Sequence, residues 1–586
     1  MNAKDARMKS ADNVDDKRND IVSLNIQSKK LEEKEDIDFI FNHIVGGGKR
    51  EDFGQWIILA SIIPVLWCGI LPLMMHLYAS FEPRHRCYIP ACDTVNTTSN
   101  LDVEWIAFAS PPIQSTDDQT CQVEMLKVDK LFDACHQYAS TGLNTCESKS
   151  FNQTSVQKCE KFVYDTSVVK ESLTTKLNLV CESGYKQRIL GLMVMSGLLV
   201  GSIPGGRLGD KLGRKRAMLL SVIIIVPSVM FAGYSKDFWL YAALKFICTV
   251  MLPCIWFSSH SLIIELFGRD YRQHAVVIKE VWWAFGNLVA VAAFYVTRHW
   301  FYFHLFAGGL CAMAFPFLLI VQESPRWLSI NGKREAAEQV LIKIATWNRR
   351  NLSSDEKQKI SSILKKLDQK VDLKQEKNLG IKDMMNSKNL KKTIIMTLNW
   401  IIVCVTTFTL AFNVTKLSGN VFLNATLLVV LGDTPGKCFV WLTMKYCSRR
   451  LSLFIFHVLA GLFCIVIASL PKHYSFAIIS FYMLAMCASN AAFALVYLIT
   501  GELYPTNLRN QAIGTCSTVS RLFGISAPFM SKLSCVWKPL PMLVLGVPSI
   551  CIGCLVYFLP ETKRLNLPQA SNDLEKANVS ERQDEI

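Results

Sequence analysis

The chain is 586 residues long, 51% hydrophobic and 19% charged, with 63 Lys+Arg against 48 Asp+Glu for a formal net charge of +15. Its mean hydropathy of +0.25 excludes disordered, collagen-like, coiled-coil and small disulfide-framework classes. Apolar runs of roughly 20 residues, enough to cross about 30 Å of hydrocarbon, place it in a lipid bilayer. The positive charge is clustered in a few segments, a pattern of membrane topology, and no nucleic-acid partner is expected.

Residues 1–38 are charged and polar with no apolar signal core, so 1–52 reads as a cytoplasmic tail and the first span as an uncleaved anchor. Twelve spans are predicted: 53–78, 187–206, 216–234, 237–264, 274–298, 300–321, 393–415, 421–444, 451–470, 474–500, 508–532 and 537–559. They make an all-α membrane protein of two six-span halves, 53–321 and 393–559, both termini on one side. A large loop, 79–184, follows the first span; a central segment, 322–392, joins the halves; a polar tail, 560–586, closes the chain. Asn399, Asp433, Lys437, Asn490 and Arg521 interrupt the seventh, eighth, tenth and eleventh runs.

Segment 79–184 holds nine Lys+Arg and fourteen Asp+Glu, whereas 322–392 holds seventeen and nine. The turn Arg207 to Arg216 adds five cations against one Asp, and Lys445, Arg449 and Arg450 follow the eighth span. These basic turns share one side, the cytoplasm by the positive-inside rule, and 79–184 faces outward. Seven cysteines fall in that loop: Cys87, Cys92, Cys121, Cys135, Cys146, Cys159 and Cys181. Three disulfides and one spare thiol are expected there. Asn96 and Asn152 begin glycosylation sequons on the same outer side, while those at Asn351 and Asn578 would be silent. No Cys pair joins His at zinc spacing, so no metal is expected. Segment 326–370 reads as amphipathic helix, with Ala336, Ala337, Val340, Leu341, Ile344 and Ala345 on one face.

Gly197, Gly201, Gly205, Gly209 and Gly213 recur every four residues along the second span, a small-residue stripe for close helix packing. The stripe runs into Gly205-Gly206-Arg207-Leu208-Gly209-Asp210-Lys211-Leu212-Gly213-Arg214-Lys215-Arg216. This resembles the turn between the second and third spans of the major facilitator superfamily, where an Asp–Arg network latches the cytoplasmic gate. Glu323-Ser324-Pro325-Arg326-Trp327-Leu328, Glu502-Leu503-Tyr504-Pro505-Thr506 with Arg509, and Pro560-Glu561-Thr562 are similar to the signatures of its organic cation, organic anion and carnitine transporter family. So is the Cys-rich loop after the first span. The resemblance runs from about 39 to 565 and is nearest to insect-type organic cation transporter-like members. It implies a gate formed by Arg207, Asp210, Arg214, Glu265, Glu323, Arg326, Glu502 and Arg509. The second-half latch departs from the family pattern: Lys445-Tyr446-Cys447-Ser448-Arg449-Arg450 lacks the usual acid and glycine.

Ionisable residues within a span line a wet cavity or pair with a partner, which singles out Asp433, Lys437 and Arg521. Asp433 and Lys437 are four apart, on one helix face and within pairing reach. The resemblance places Arg521 where cation members have Asp and where anion and carnitine members have Arg. Lys437 matches a Lys of anion members, Asp433 a carboxylate of cation and carnitine members, and Glu280 a pocket position usually uncharged. Trp256, Trp283, Trp400 and Phe493 match pocket-lining positions and suit a quaternary ammonium. Lys245 and His260 are weaker candidates, Lys245 reading as structural.

No phosphate-binding P-loop and no nucleophile elbow occurs, so ATP-driven transport and hydrolysis are disfavoured, and no cofactor is expected. The leading reading is a plasma-membrane carrier of small organic ions, namely cations, zwitterions or carnitine-like compounds, working by alternating access without ATP. An organic anion carrier is the near alternative, and a non-transporting sensor on a carrier scaffold, kept open by the altered second latch, the distant one. Uniport, exchange with a second substrate and coupling to an ion are not distinguished.

Overall fold

The fold is described from a computed structural model covering residues 37–46, 49, 52–79, 81–90, 92–93, 101, 103, 105–112, 132–141, 146–268, 271–372, 384, 387–413, 426–471, 474–504 and 508–562. The apolar runs form helices: α1 Phe53–Ala79, α2 Tyr185–Leu212, α3 Arg214–Tyr234, α4 Phe238–Leu266, α5 Arg272–Thr297 and α6 Trp300–Ile320. After the central segment come α7 Ser387–Asn413, α8 Thr434–Tyr446, α9 Arg449–Ser469, α10 Ser475–Leu503, α11 Arg509–Gly524 and α12 Leu540–Leu555. Ten helices among the described residues are long and apolar enough to cross a membrane. The predicted eighth and eleventh spans are the two exceptions. The former holds a π-helical turn, Leu428–Asp433, before α8, and the latter ends its α-helix at Gly524 and continues as a 3-10 turn, Ala527–Lys532. Polar groups inside both spans lower their hydropathy, and Pro435 removes a backbone donor from the first turn of α8.

Burial differs from that of a water-soluble protein, with polar groups buried and large apolar side chains exposed. Asn399, Lys245, His260, Asn510 and Arg521 are buried, while Phe231, Val296, Leu319 and Phe476 are exposed. In hydrocarbon, apolar side chains need no cover and polar ones must meet each other. Lys245 of α4 donates to the Pro72 carbonyl of α1 at 2.6 Å, a structural tie between helices.

The glycine stripe explains how α2 packs. A Cβ at Gly197 or Gly201 would collide with Thr249 or the Val250 carbonyl of α4, and one at Gly209 would lie 2.6 Å from Asn510 Nδ2 and 2.8 Å from Ser258 Oγ. Gly213, at φ +100, turns the chain from α2 into α3 in a conformation that side chains disfavour.

The loop after α1 builds its own small fold. Strand β1 (His85–Cys87) pairs antiparallel with β4 (Phe162–Tyr164), and β2 (His136–Ser140) with β3 (Phe151–Lys158). Disulfides Cys87–Cys159, Cys92–Cys146 and Cys135–Cys181 staple it, a pairing the sequence left open; Cys121 and Asn96 lie outside the described residues. Arg86 grips Asp93 through two bonds of 2.8 and 2.6 Å and lies over the Trp105 ring at 4.9 Å. Asn152 is exposed on β3, its side-chain oxygen accepting from Thr154 Oγ1 at 2.6 Å. The loop's end packs at the α3–α4 and α5–α6 connections: Leu173, Leu179, Ala232, Phe238, Tyr241 and Trp300 form one buried cluster, and His299 bonds Glu171 at 2.8 Å. These connections therefore share an end of the bundle, as the predicted up-down path requires.

The smaller of two compact units comprises Met1–Ile57, Glu265–Arg272 and Glu323–Asn378. The predicted helix over 326–370 is three helices, Pro325–Ile330, Arg334–Trp347 and Ser354–Asp372. The second break falls where Asn348 turns its side chain away: it accepts from Gly54 N at 2.6 Å and donates to the Val45 carbonyl at 2.8 Å. Arg350 pairs with Asp52 at 2.9 Å, and Ala337, Leu341, Ile344 and Ala345 are the buried face.

Candidate functional site

The π-turn before α8 frees a carbonyl, and Asn490 of α10 satisfies it: its Nδ2 donates to Gly432 O at 3.1 Å. Asp433 then sits at the start of α8, where its carboxylate meets Lys437 one turn on, Nζ lying 2.9 Å from Oδ1 and 3.1 Å from Oδ2. Asn287 of α5 donates to Asp433 Oδ2 at 3.2 Å. The predicted pair therefore forms, and it reaches across to the first half of the chain.

Glu280 lies beside it on α5. Lys279 Nζ approaches Glu280 Oε1 at 2.5 Å, and Lys437 Nζ approaches Oε2 at 3.9 Å. Lys279 was missed by sequence reasoning, which singled out Glu280 alone. The signal was the Lys-Glu dipeptide within an apolar run, but successive helical residues point about 100° apart, so a shared cavity is not read from adjacency. Lys279 also faces His260 Nδ1 at 3.4 Å and lies 5.8 Å from the Tyr497 ring. His260 Nε2 is buried without a hydrogen-bond partner.

Arg521 is 2% exposed. Its Nε donates to Ser517 Oγ at 3.0 Å, its guanidinium lies over Trp256 at 5.2 Å and beside Tyr497, and Nη1 has no hydrogen-bond partner. Among the described residues it has no carboxylate within ion-pairing distance, unlike Lys279 and Lys437. The predicted aromatics fall into two groups. Trp256 and Trp283 stand edge to face at 5.5 Å on α4 and α5. Trp400 and Phe493 meet at 5.9 Å on α7 and α10, and Tyr497 joins them at 4.5 Å from Trp400. Trp283 and Phe493 are only half-buried.

At the end of the bundle holding the basic turn, Asp210 meets both Arg214 and the start of α11. Its Oδ1 is 3.3 Å from Arg214, and its Oδ2 accepts from Gln511 N at 3.1 Å, an acid on the first turn of α11. A Cβ at Gly206 would lie 2.5 Å from the Asn510 carbonyl, so α2 and α11 meet backbone to backbone. Arg326 Nε donates to the Glu265 carbonyl at 3.3 Å, and Arg509 Nε to Gly501 O at 2.6 Å. Glu323 Oε1 accepts from Ser324 N at 3.0 Å, while Arg207 is exposed.

The acid missing from the second-half latch is supplied by other elements. Arg449 Nε is 3.4 Å from Glu502 at the end of α10 and its Nη1 donates to Gln273 of α5 at 3.2 Å. Glu561 accepts the Arg449 and Arg450 backbone N–H groups at 3.0 and 3.3 Å, capping α9 with a carboxylate.

The family described as Sugar (and other) transporter matches residues 143–574. An organic cation transporter-like protein of Drosophila melanogaster is 30% identical over 437 residues, covering 72% of this chain and 76% of its own. Solute carrier family 22 member 16 of Bos taurus is 26% identical over 571 residues, 93% of this chain and 94% of its own. A solved structure of the major facilitator superfamily proton:xylose symporter XylE bound to 6-bromo-6-deoxy-D-glucose superposes with a TM-score of 0.58 at 14% identity, covering 89% of this chain and 98% of that one. At that identity the likeness is one of fold.

Proposed function

The chain belongs to the sugar (and other) transporter family of the major facilitator superfamily, as a transmembrane carrier of small organic ions and not an enzyme, and from that premise we propose that its substrate presents a carboxylate to Arg521. The observation that carries this is the contrast among the buried charges. Asp433 and Glu280 already face lysines, whereas Arg521 holds a desolvated guanidinium with Nη1 unpartnered. A planar donor fork matches a carboxylate, and a buried donor left unmade is costly, so a substrate anion gains affinity by completing it.

A carnitine-like zwitterion is the second reading, supported by the Trp400, Phe493 and Tyr497 rings. A quaternary ammonium against these faces would be held by cation–π attraction while its carboxylate meets Arg521. In either case the chain's halves, 53–321 and 393–559, rock about this site. Asp210, Arg214, Arg449 and Glu502 latch the side proposed as cytoplasmic. The charge bias of the connecting segments supports both termini inside and Asn152 glycosylated outside.

Uptake of labelled benzoate, carnitine and tetramethylammonium into cells expressing wild type and Arg521→Ala tests this. Loss of about 100-fold in benzoate or carnitine uptake at equal surface expression is expected, the scale of a truncated buried charge contact. Unchanged uptake of a carboxylate in Arg521→Ala overturns it.

A further inference from the structure

The buried charges on α5 and α8 do more than neutralise each other. We propose that Lys279 is a specificity-determining residue: by clamping Glu280 it withdraws a carboxylate that would otherwise receive a substrate cation, and so biases the sign of ion that this carrier accepts. This rests on the carboxylate reading of Arg521.

Each oxygen of Glu280 faces a different lysine, Oε1 toward Lys279 at 2.5 Å and Oε2 toward Lys437 at 3.9 Å. Lys437 is already engaged by both oxygens of Asp433, so the short contact from Lys279 carries most of the neutralisation of Glu280. The clamp is itself held in place. Lys279 is 5% exposed, and the His260 lone pair and the Tyr497 ring face its ammonium from α4 and α10. A side chain supported by three groups from three helices is fixed in orientation rather than free to seek solvent. Lys279, Lys437 and Arg521 stand against Glu280 and Asp433, so the cluster has one positive charge in surplus. Removal of Lys279 would cancel that surplus and leave the Glu280 carboxylate with only the longer contact to Lys437. In a low-dielectric site that loss of positive charge weakens the preference for an anion and strengthens that for a cation.

The test compares wild type, Lys279→Met, Lys279→Arg, Glu280→Gln and the double variant Lys279→Met/Glu280→Gln, each normalised to surface protein, for uptake of labelled tetramethylammonium and benzoate. In Lys279→Met the ratio of tetramethylammonium to benzoate uptake should rise by about tenfold or more, a shift of about 1.4 kcal/mol at the least. Lys279→Arg should keep the wild-type ratio, and the double variant should return to it, because no carboxylate is left to release. Glu280→Gln alone should shift the ratio toward benzoate. A ratio within about twofold of wild type in Lys279→Met overturns the clamp; if that variant does not reach the surface, the same result in Glu280→Gln does. Should wild type carry tetramethylammonium but no benzoate, the reading of Arg521 fails while the response to Lys279→Met still decides the clamp. Should wild type carry neither, appearance of tetramethylammonium uptake in Lys279→Met supports the clamp and its absence overturns it.

Discussion

Trp400 is fixed by packing and by one hydrogen bond. Its Nε1 donates to Thr500 Oγ1 at 3.0 Å, which fixes the ring so that one edge meets Phe493 and Tyr497. Trp400→Phe removes that bond and should cost about 1 kcal/mol, read as a lower melting temperature in detergent. Lys437 poses a sharper question, since it serves Asp433 structurally and faces Glu280. Lys437→Met leaves Asp433 buried with only Asn287, a loss of about 3–5 kcal/mol that should lower surface expression. Exchanging the pair, Asp433→Lys with Lys437→Asp, should recover expression; recovered uptake as well would show that Lys437 acts only as the partner of Asp433. Asp433, Lys437 and Arg521 were legible because charge within an apolar run has few bland explanations. Lys279 was not, because its role depends on His260 and Tyr497, which arrive from other helices.

At the scale of the element, the glycine stripe and the helix breaks carry the physics. Gly201→Ala places a methyl against the Val250 carbonyl of α4, where backbone must yield, and should destabilise by about 1–3 kcal/mol. Gly309→Ala meets nothing within 4 Å and should be neutral or slightly stabilising, which makes it the control in the same thermal-shift measurement. The periodicity of the stripe was visible in the sequence, whereas the partner helix was not. Helix Ser354–Asp372 opens on a capping box in which Ser353 N donates to Glu356 at 2.8 Å and Glu356 N donates to Ser353 Oγ at 3.2 Å. That backbone bond, then the Ser353 hydroxyl, holds the Glu356 carboxyl below its ordinary value of 4.5. The cap is therefore complete at neutral pH and fails as pH falls below 4.5 through the lowered value. Proteolysis of this segment should accelerate in acid for wild type, and Glu356→Ala should cleave faster already at pH 7 and respond less to acid.

For the whole molecule, the ends of the bundle differ in how they are held. The loop end is covalently stapled and packed on Trp300 and Tyr241, while the basic end is joined by reversible polar contacts. Arg449 connects α9 to Glu502 on α10 and to Gln273 on α5, so it ties together parts of the chain on either side of the central segment. Arg449→Ala should slow uptake several-fold at equal surface expression, with cysteines introduced near the basic turn becoming more reactive to a membrane-permeant thiol reagent. Exchange of Arg449 and Glu502 should restore part of the rate. The orientation has its own measurement: Asn152→Gln should reduce the gel shift that deglycosylation produces in wild type, the Asn96 sequon supplying the remainder, and no shift in wild type would count against an outward loop.

The sequence by itself determined the class of protein, the approximate course of its helices and the charges Asp433, Lys437 and Arg521 that lie within its apolar runs. Hydrocarbon permits so few backbone arrangements that a run of apolar residues, its length and its flanking charges leave little freedom. Only the tertiary structure decided which cysteines pair, which acid replaces the missing one beside Arg449, and that Lys279 shares the environment of Lys437. Each of these is a meeting of side chains from distant parts of the chain, set by helix rotation and close packing, and neither is encoded in local periodicity.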